Sequence, residues 1–177
     1  MAISLYYLAY GSNLHPRRLV ARVPSARPLG HVKLQDLELS FHKRSVDGSG
    51  KCTLSERKGA VSHGVLYEFA SDEKPLLDAV EGTKGYLQQQ MKCSVSGVQY
   101  LAYLYVASST HLDPSLVPYE WYKQLVIAGA RYHNFPLDYL SALSAIPSRP
   151  DLDSERATSN EKLVRDLFSG EASVHEG

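Results

Sequence analysis

The sequence predicts an α+β domain in which a small mixed β-sheet closes into a barrel with helices around it. Up to residue 106, segments of alternating apolar and polar residues predominate, a pattern typical of half-buried strands. From residue 118 onward, apolar residues recur at helical spacing. The length of 177 residues fits one domain of ordinary size.

The first predicted strand covers residues 4–10, which read SLYYLAY and are rich in β-forming types. Gly11, Ser12 and Asn13 follow it and are turn formers. Asn13 can cap a short helix over 14–20, since a proline is tolerated in its first turn. We therefore expect a strand, a tight loop and a helix in this order.

Two further strands are predicted on either side of a long loop. Residues 35–42 and 63–70 both alternate between apolar and polar types. Residues 43–60 contain the turn formers DGSG and many charges, which predict a long mobile loop around a short extended piece near 52–54. Loops of this kind often border functional sites.

A short helix and a hairpin come next. Pro75 fits a first helical turn and Gly82 fits the position just past a helix end, so the helix has about two turns and ends at Glu81. Residues 86–95 and 98–106 are β-rich and flank a Ser-Gly pair, which is the pattern of a two-residue hairpin.

The rest of the chain is predicted to be helical. Apolar spacing indicates helices over 118–133 and 136–146, and Pro147 ends the second. A polar segment and a weakly amphipathic helix over 161–168 follow. We therefore divide the chain into a main domain over 1–147 and a polar tail with one short helix over 148–177.

Composition excludes several classes of partner. Lys and Arg number 19, as do Asp and Glu, so the formal net charge is zero and no nucleic-acid partner is expected. No apolar run approaches the roughly 18 residues of a membrane span, and no cationic signal region precedes the first strand, so we expect no membrane association. Cys52 and Cys93 are too few for a disulfide framework, which favours a reducing cytoplasm.

Signatures of common hydrolases, nucleotide-binding proteins and zinc sites are missing from the sequence. It contains no G-x-S-x-G and no G-x-x-x-x-G-K motif. Its seven histidines never fall three or four residues apart. We therefore expect no metal site.

The loop over residues 10–14 is the first candidate site. A strand end, a glycine turn and a helix start meet there, so successive backbone N–H groups can converge on an anion or a carbonyl oxygen. The alternative is an ordinary turn, in which Gly11 meets a backbone requirement and Asn13 caps the helix.

Glu81 is the second candidate. Leu77 lies one helical turn before it and Val80 beside it, so the carboxylate falls on the apolar stripe of the helix. Burial and a place in the last helical turn both raise the pKa of a carboxyl, which suits a proton shuttle near neutral pH. The alternative is a Glu81 that turns to solvent or pairs with Lys84 or an arginine.

Together these segments resemble the gamma-glutamylcyclotransferase-like family over residues 4–147. LYYLAYGSNL is similar to its signature strand and loop, HGVLYEF to its central strand, and LLDAVEG to the helix that ends in its catalytic glutamate. GARYHNFPLDYLSALSAI is similar to its carboxy-terminal helical pattern. The ordered set is far more specific than any one segment.

The resemblance implies a small mixed β-barrel with peripheral helices, and an enzyme that releases 5-oxoproline from small gamma-glutamyl compounds by a cyclising, lyase-type acyl transfer. It implies that Glu81 is the general acid/base. The substrate-binding residues it implies are Tyr10, Gly11, Ser12, Asn13, Leu14, Tyr86, Tyr103 and Tyr122. Since the substrate's own α-amine can attack its γ-carbonyl, no protein nucleophile and no cofactor is required.

Two other functions stay open. The same loop could serve a non-catalytic module that binds a carboxylate metabolite or a peptide end. A cyclotransferase for gamma-glutamyl amines, such as a lysine isopeptide, would need a pocket open beyond the leaving nitrogen, under residues 43–60. The leaving group, including glutathione, is not specified by the sequence, and either a monomer or a homodimer is compatible with it.

Overall fold

The computed structural model of the protein describes residues 3–81 and 85–172. Its strands are β1 (Ser4–Ala9), β2 (Arg27–Arg44), β3 (Gly50–Ala70), β4 (Tyr86–Val95) and β5 (Val98–Ala107). Its helices are α1 (Pro16–Val20), α2 (Lys74–Glu81), α3 (Glu120–Tyr132), α4 (Leu137–Ala145) and α5 (Ser154–Ala172). No described helix is both long enough and apolar enough to span a membrane.

The five strands form one mixed sheet in the order β2-β3-β1-β5-β4. The central strand β1 runs antiparallel to β3 and parallel to β5. The edge strands β2 and β4 approach each other, since a Cβ added to Gly30 would lie 2.5 Å from Val95 Cγ1, but no pairing between them is found among the described residues. The predicted α+β class with a mixed sheet is therefore confirmed, whereas closure into a barrel is not.

The largest difference from the sequence prediction lies in residues 43–60. β3 begins at Gly50 and pairs with β2 along most of its length, so only residues 45–49 remain as a loop. The charges that indicated a loop lie on the exposed faces of this ribbon, where Arg57 forms an ion pair with Glu38. A two-stranded ribbon with polar exposed faces has the composition of a loop, and this similarity explains the wrong prediction.

The β2–β3 ribbon changes register in its middle. The pairing shifts between Gln35 and Leu37. Asp36 and Gly59 adopt positive φ angles of 57° and 81° there, and the Gly59 N–H donates to Asp36 Oδ1 at 2.7 Å. Irregularities of this kind bend and twist strands locally.

The hairpin and the helices α3 and α4 agree with their predictions within about two residues, the usual uncertainty of helix boundaries. Ser96 and Gly97 both have positive φ angles, as a two-residue type I′ turn requires. α2 ends at Glu81 as expected. The predicted helix end at Gly82 and the possible partner Lys84 lie outside the described residues.

Two helix boundaries differ from their predictions. α1 is capped by His15, whose Nδ1 accepts from the Arg17 N–H at 3.2 Å, and not by Asn13. The side chain of Asn13 is thereby available for other contacts. α5 has 19 residues and packs on α3, with Leu167 buried, so it is longer than the predicted helix over 161–168.

Buried histidines couple the fold to pH. His15 is 1% exposed and its ring packs at a tilt against that of Tyr132, with 4.6 Å between ring centroids. Burial, with smaller contributions from His133 and Arg17, lowers the pKa of His15 from 6.5 to about 4. The imidazole of His15 is therefore protonated at higher pH in the unfolded chain than in the folded chain.

We expect the free energy of unfolding to fall as the pH drops from 6.5 to 4, with roughly 3 kcal/mol due to His15. Urea titrations at several pH values measure this loss. In His15→Asn, which keeps a capping side chain, the pH dependence in this window should be shallower. An unchanged slope would contradict the role assigned to His15.

Candidate active site

A small pocket lies where the end of β1, the loop after it and the end of α2 meet. Its volume of about 20 Å³ holds a group the size of one water molecule. It is lined by Tyr7, Tyr10, Gly11, Ser12, Asn13, Cys52, Glu81, Tyr86, Tyr105 and Tyr122. The structure therefore brings together most of the site residues predicted from the sequence.

The carboxylate of Glu81 is held inside this pocket by two donors. The Tyr7 hydroxyl donates to Glu81 Oε1 at 3.1 Å, and Asn13 Nδ2 donates to the same oxygen. Arg22 Nη1 donates to Asn13 Oδ1 at 2.8 Å. Because a guanidinium only donates, Arg22 fixes the Asn13 amide with its NH₂ group toward Glu81.

Burial raises the pKa of Glu81 above its ordinary value of 4.5. The hydrogen bonds from Tyr7 and Asn13 and the positive charges of Arg22 and Arg18 act in the opposite direction without overcoming burial. A buried carboxyl with a raised pKa can exchange protons nearer neutral pH than an exposed one.

The side chains expected to shield Glu81 from solvent do so only in part. Leu77 is buried at 1% exposure, but Val80 is 40% exposed. Five tyrosines line the same pocket as Glu81: Tyr7, Tyr10, Tyr86, Tyr105 and Tyr122. No ion pair joins Glu81 to an arginine of the described residues.

The loop after β1 presents backbone donors at the pocket. Among the described residues, no hydrogen bond is donated by the N–H groups of Gly11, Ser12 or Asn13. A Cβ at Gly11 would lie 3.0 Å from Cys52 Cβ, so glycine allows the loop to lie close against β3. These three N–H groups are therefore candidate donors to an oxygen atom in the pocket.

Leu14 does not line the pocket, in contrast to the prediction. Its N–H donates to Gly11 O at 3.1 Å and its side chain is buried in the core. Its carbonyl accepts from Tyr67 Oη at 2.6 Å and lies 2.9 Å from His133 Nε2. Leu14 thus anchors the loop to β3 and to the end of α3.

Three tyrosines of the pocket, Tyr10, Tyr86 and Tyr122, are held by backbone groups. Tyr86 Oη donates to Cys52 O at 2.8 Å, and Tyr122 Oη accepts from the Cys52 N–H at 3.3 Å. Tyr10 Oη donates to Tyr105 O. Burial raises the pKa of Tyr10, Tyr86 and Tyr122 well above 10, so their hydroxyls stay neutral.

Tyr103, also predicted near the site, does not line the pocket. Its ring lies under Lys74, with 4.9 Å from Nζ to the centroid. Tyr105, two residues further along β5 on the same face, reaches the pocket. The alternation of residues along β5 correctly indicates which face of the strand is turned toward the pocket. Which tyrosine on that face reaches the pocket depends on how β5 pairs with β1.

Sequence reasoning missed Tyr7, Cys52 and Tyr105. Tyr7 lies in the predicted first strand, far from Glu81 in the chain, and no sequence pattern links the two residues. Cys52 belongs to the segment wrongly predicted as a loop. Burial raises the pKa of Cys52 to about 12, so its thiol stays protonated at neutral pH.

A larger outer cavity of about 440 Å³ adjoins the pocket and shares Ser12, Glu81, Tyr86 and Tyr122 with it. Residues 45–47 border this cavity, as expected of the loop in that segment. Its charged lining residues are Arg18, Arg22, Lys43, Lys51, Asp47 and Glu81. The described residues contain no group of three or more His, Cys, Asp or Glu placed to hold a metal ion.

The fold and the site define a class of proteins with known members. The sequence model of the AIG2-like family matches residues 62–143, which run from β3 into α4. This range includes Glu81, Tyr86 and Tyr122 of the pocket.

Gamma-glutamylcyclotransferase of Homo sapiens is 30% identical over 151 residues, which cover 81% of this chain and 79% of the relative. The Bos taurus protein of the same name is 28% identical over 180 residues, or 97% and 92% of the two chains. A solved gamma-glutamyl cyclotransferase superposes with a TM-score of 0.81 at 27% identity, covering 93% of this chain and 99% of that one. The chain belongs to the gamma-glutamylcyclotransferase family, which confirms the resemblance seen in the sequence.

Proposed function

We propose that the protein releases 5-oxoproline from a gamma-glutamyl amino acid or amide, with Glu81 as general acid/base. The observation that carries this proposal is the half-buried Glu81, whose carboxyl has a raised pKa and lies in one pocket with Gly11, Ser12 and Asn13; among the described residues, the N–H groups of these three donate no hydrogen bond. The family membership of the chain supports the same reaction.

In the proposed reaction, Glu81 takes a proton from the substrate's α-ammonium group. The free amine attacks the γ-carbonyl carbon and closes a five-membered ring. The bond from this carbon to the leaving nitrogen then breaks as Glu81 gives its proton to that nitrogen. Glu81, ionised again, takes the second proton from the attacking nitrogen and passes it to the released amine or to water, which leaves a neutral lactam. Because the attack is intramolecular, correct folding of the substrate supplies on the order of 7 kcal/mol or more of barrier reduction.

The N–H groups of Gly11, Ser12 and Asn13 would hold substrate oxygens, either the α-carboxylate or the oxyanion that develops on the γ-carbonyl. The inner pocket has room for one small group only, so the bulk of the substrate would occupy the outer cavity. Tyr86 and Tyr122 would form the neutral wall between the two.

The buried carboxylate favours an enzyme over a carboxylate-binding module. A module that binds anions gains nothing from a second negative charge beside its donors, because like charges repel at short range. An enzyme that must move a proton at this place does need such a group.

In this proposal residues 1–147 form the catalytic domain, and the protein acts in the cytoplasm as a monomer or homodimer. The cytoplasmic location is supported by Cys52 and Cys93, which are both free thiols. The chemistry requires no cofactor, since the substrate supplies the nucleophile.

Mass spectrometry of the products from a panel of gamma-glutamyl amino acids, gamma-glutamyl amines and glutathione tests the proposal. Release of 5-oxoproline from at least one compound is expected. Binding by calorimetry without 5-oxoproline from any compound would instead identify a binding module.

Asn13→Ala should move the acidic limb of the kcat/KM profile to higher pH. The hydrogen bond from Asn13 lowers the pKa of Glu81, so its loss leaves that pKa higher still. The free energy of unfolding should also fall by about 1–3 kcal/mol, because the buried carboxyl loses a donor. A limb that stays in place would show that Asn13 does not control the protonation of Glu81.

A further inference from the structure

The first residues of the polar tail are joined to the start of α3 by their backbone. The Arg149 N–H donates to Pro118 O and the Glu120 N–H donates to Arg149 O, both at 3.0 Å. These bonds accompany a one-residue parallel bridge between Tyr119 and Arg149. The segment predicted as a separate tail is therefore fixed against the main domain.

Asp151 fixes the same segment a second time. Its carboxylate accepts from Arg156 Nε and Nη2, both at 2.6 Å, and from Trp121 Nε1 at 2.9 Å. The exposure of the Asp151 side chain is 0%. Paired donors of one guanidinium give a carboxylate a defined orientation as well as energy. Asp151 thus connects the tail to Trp121, which lines the outer cavity.

Two side chains of this region hold the loop of residues 45–49. Tyr119 Oη donates to Asp47 O at 2.9 Å, and Arg149 Nη2 donates to Gly48 O at 2.8 Å. Among the described residues, no other hydrogen bond reaches these two carbonyl groups. The position of the loop therefore depends on residues at the junction of α3 and the tail.

The ring of Tyr119 joins the two sets of contacts. The guanidinium groups of Arg149 and Arg156 lie 5.2 and 5.3 Å from its centroid, within the range of a cation–π interaction. We call the four side chains concerned the tail latch: Tyr119, Arg149, Asp151 and Arg156.

The loop that the tail latch holds is part of the wall of the outer cavity. Ser45, Val46 and Asp47 line this cavity. Val46 is 78% exposed, so burial of its side chain does little to fix the loop. None of the tail latch residues lines the inner pocket around Glu81.

We propose that Arg149 and Tyr119 are positioning residues, which hold residues 45–49 in place as a wall of the outer cavity. This proposal rests on the cyclotransferase function proposed above, in which the bulk of the substrate occupies that cavity. The tail latch acts on substrate binding and not on proton transfer, because it does not reach Glu81. The start of the tail thus contributes to the site although it follows residue 147.

Arg149→Ala and Tyr119→Phe remove the two contacts to the loop one at a time. Each should raise KM for 5-oxoproline release by about 3-fold to 10-fold, as expected for one lost hydrogen bond, and the double variant should raise it further. The change in kcat should be less than about 2-fold, because a loss of uniform binding affects KM alone. Arg149→Lys keeps a cation near Gly48 O and should restore part of the KM.

Hydrogen exchange of residues 45–49 tests the same contacts without substrate. The Ser45 N–H donates to Ser49 O at 3.0 Å, and the Gly48 N–H donates to Ser45 O at 3.1 Å. In the double variant these two amides should exchange about 5-fold faster or more, because the loop opens more often. The amides of β1 should keep their protection.

Arg165→Gln is the matched control. Arg165 is an exposed arginine of α5 and lines neither the inner pocket nor the outer cavity. This variant loses the same charge from the tail, but its KM, its kcat and the exchange of residues 45–49 should match those of the unmodified protein. Thermal unfolding of each variant checks that the fold is retained.

An unchanged KM in the double variant would overturn the proposal, even if its thermal stability fell or its loop exchanged faster. Equal changes in KM for Arg165→Gln and Arg149→Ala would overturn it as well, since the cause would then be tail charge. Either result leaves the cyclotransferase function standing. If no gamma-glutamyl compound gives 5-oxoproline with the unmodified protein, the proposed function itself fails, and the positioning role fails with it.

Discussion

Replacement of Glu81 by Gln should lower kcat/KM for 5-oxoproline release by about 100-fold to 10,000-fold, the range typical of a general acid/base. Glutamine keeps the size of the side chain and an oxygen that can accept from Tyr7 and Asn13. It has no proton-exchanging group, so both the activation of the α-amine and the protonation of the leaving nitrogen are lost.

The stability of Glu81→Gln separates loss of chemistry from loss of fold. The pKa of Glu81 is raised in the folded protein, so its stabilising effect is complete below pH 4.5 and is lost as the pH rises through the folded pKa. Above the folded pKa, the ionised carboxylate is therefore less favourable to folding than the neutral carboxyl. We expect the glutamine variant to be at least as stable as the parent there, as measured by urea unfolding.

Asp72→Asn is a suitable control, because Asp72 is an exposed acid in the turn before α2 and does not line the pocket. Its activity should match that of the parent. The acidic limb of the pH profile should persist in this control and disappear from the residual activity of Glu81→Gln. Full activity of Glu81→Gln would refute the proposed mechanism.

Gly129→Ala should lower both stability and activity, although Gly129 lies on α3 and does not line the pocket. An added Cβ would overlap Leu14 Cβ and lie 2.7 Å from His15 N. These atoms belong to Leu14 and His15, at the end where the loop of residues 10–14 is anchored. The added Cβ would therefore force this loop to move. A shift of about 1 Å in a substrate-positioning group can cost about 100-fold in rate.

The expected loss of unfolding free energy for Gly129→Ala is about 1–2 kcal/mol. Overpacking in a filled core costs about 1–3 kcal/mol, and the better helix propensity of alanine returns at most about 1 kcal/mol. Urea unfolding and kcat/KM measured on the same preparation test the two effects together.

Gly170→Ala is the matched control for this change. Gly170 is also helical, but the atom that its added Cβ would meet is the flexible end of Arg17. That side chain can move aside, so the variant should be as stable as the parent or more stable. A similar loss in both variants would mean that the site loop is not the cause.

The parts of the site that sequence reasoning found are those whose chemistry is local. The glycine turn after the first strand is recognised from consecutive turn formers. The position of Glu81 on the apolar face of α2 follows from its sequence spacing to Leu77. The sequence analysis placed Asn13 correctly in the loop but gave its side chain the role of a helix cap. In the structure the same amide group donates to Glu81, and another residue caps α1.

The parts that were not found depend on contacts between distant segments. Tyr7 contacts Glu81 across 74 residues of chain, and Arg22 donates to Asn13 from beyond the end of α1. The ribbon of β2 and β3 was mistaken for a loop because its outer faces are as charged as a loop. The outer cavity joins residues from 12 to 122 and has no counterpart in any local pattern.

The irregularity at Asp36 and Gly59 has a consequence for how this enzyme family can diversify. The distal part of the ribbon, beyond this irregularity, carries Lys43, Lys51 and the loop that borders the outer cavity. The proposed proton-transfer centre is built from β1 and α2 instead. Insertions or substitutions near the irregularity could therefore reshape the recognition of leaving groups while the catalytic apparatus is inherited unchanged.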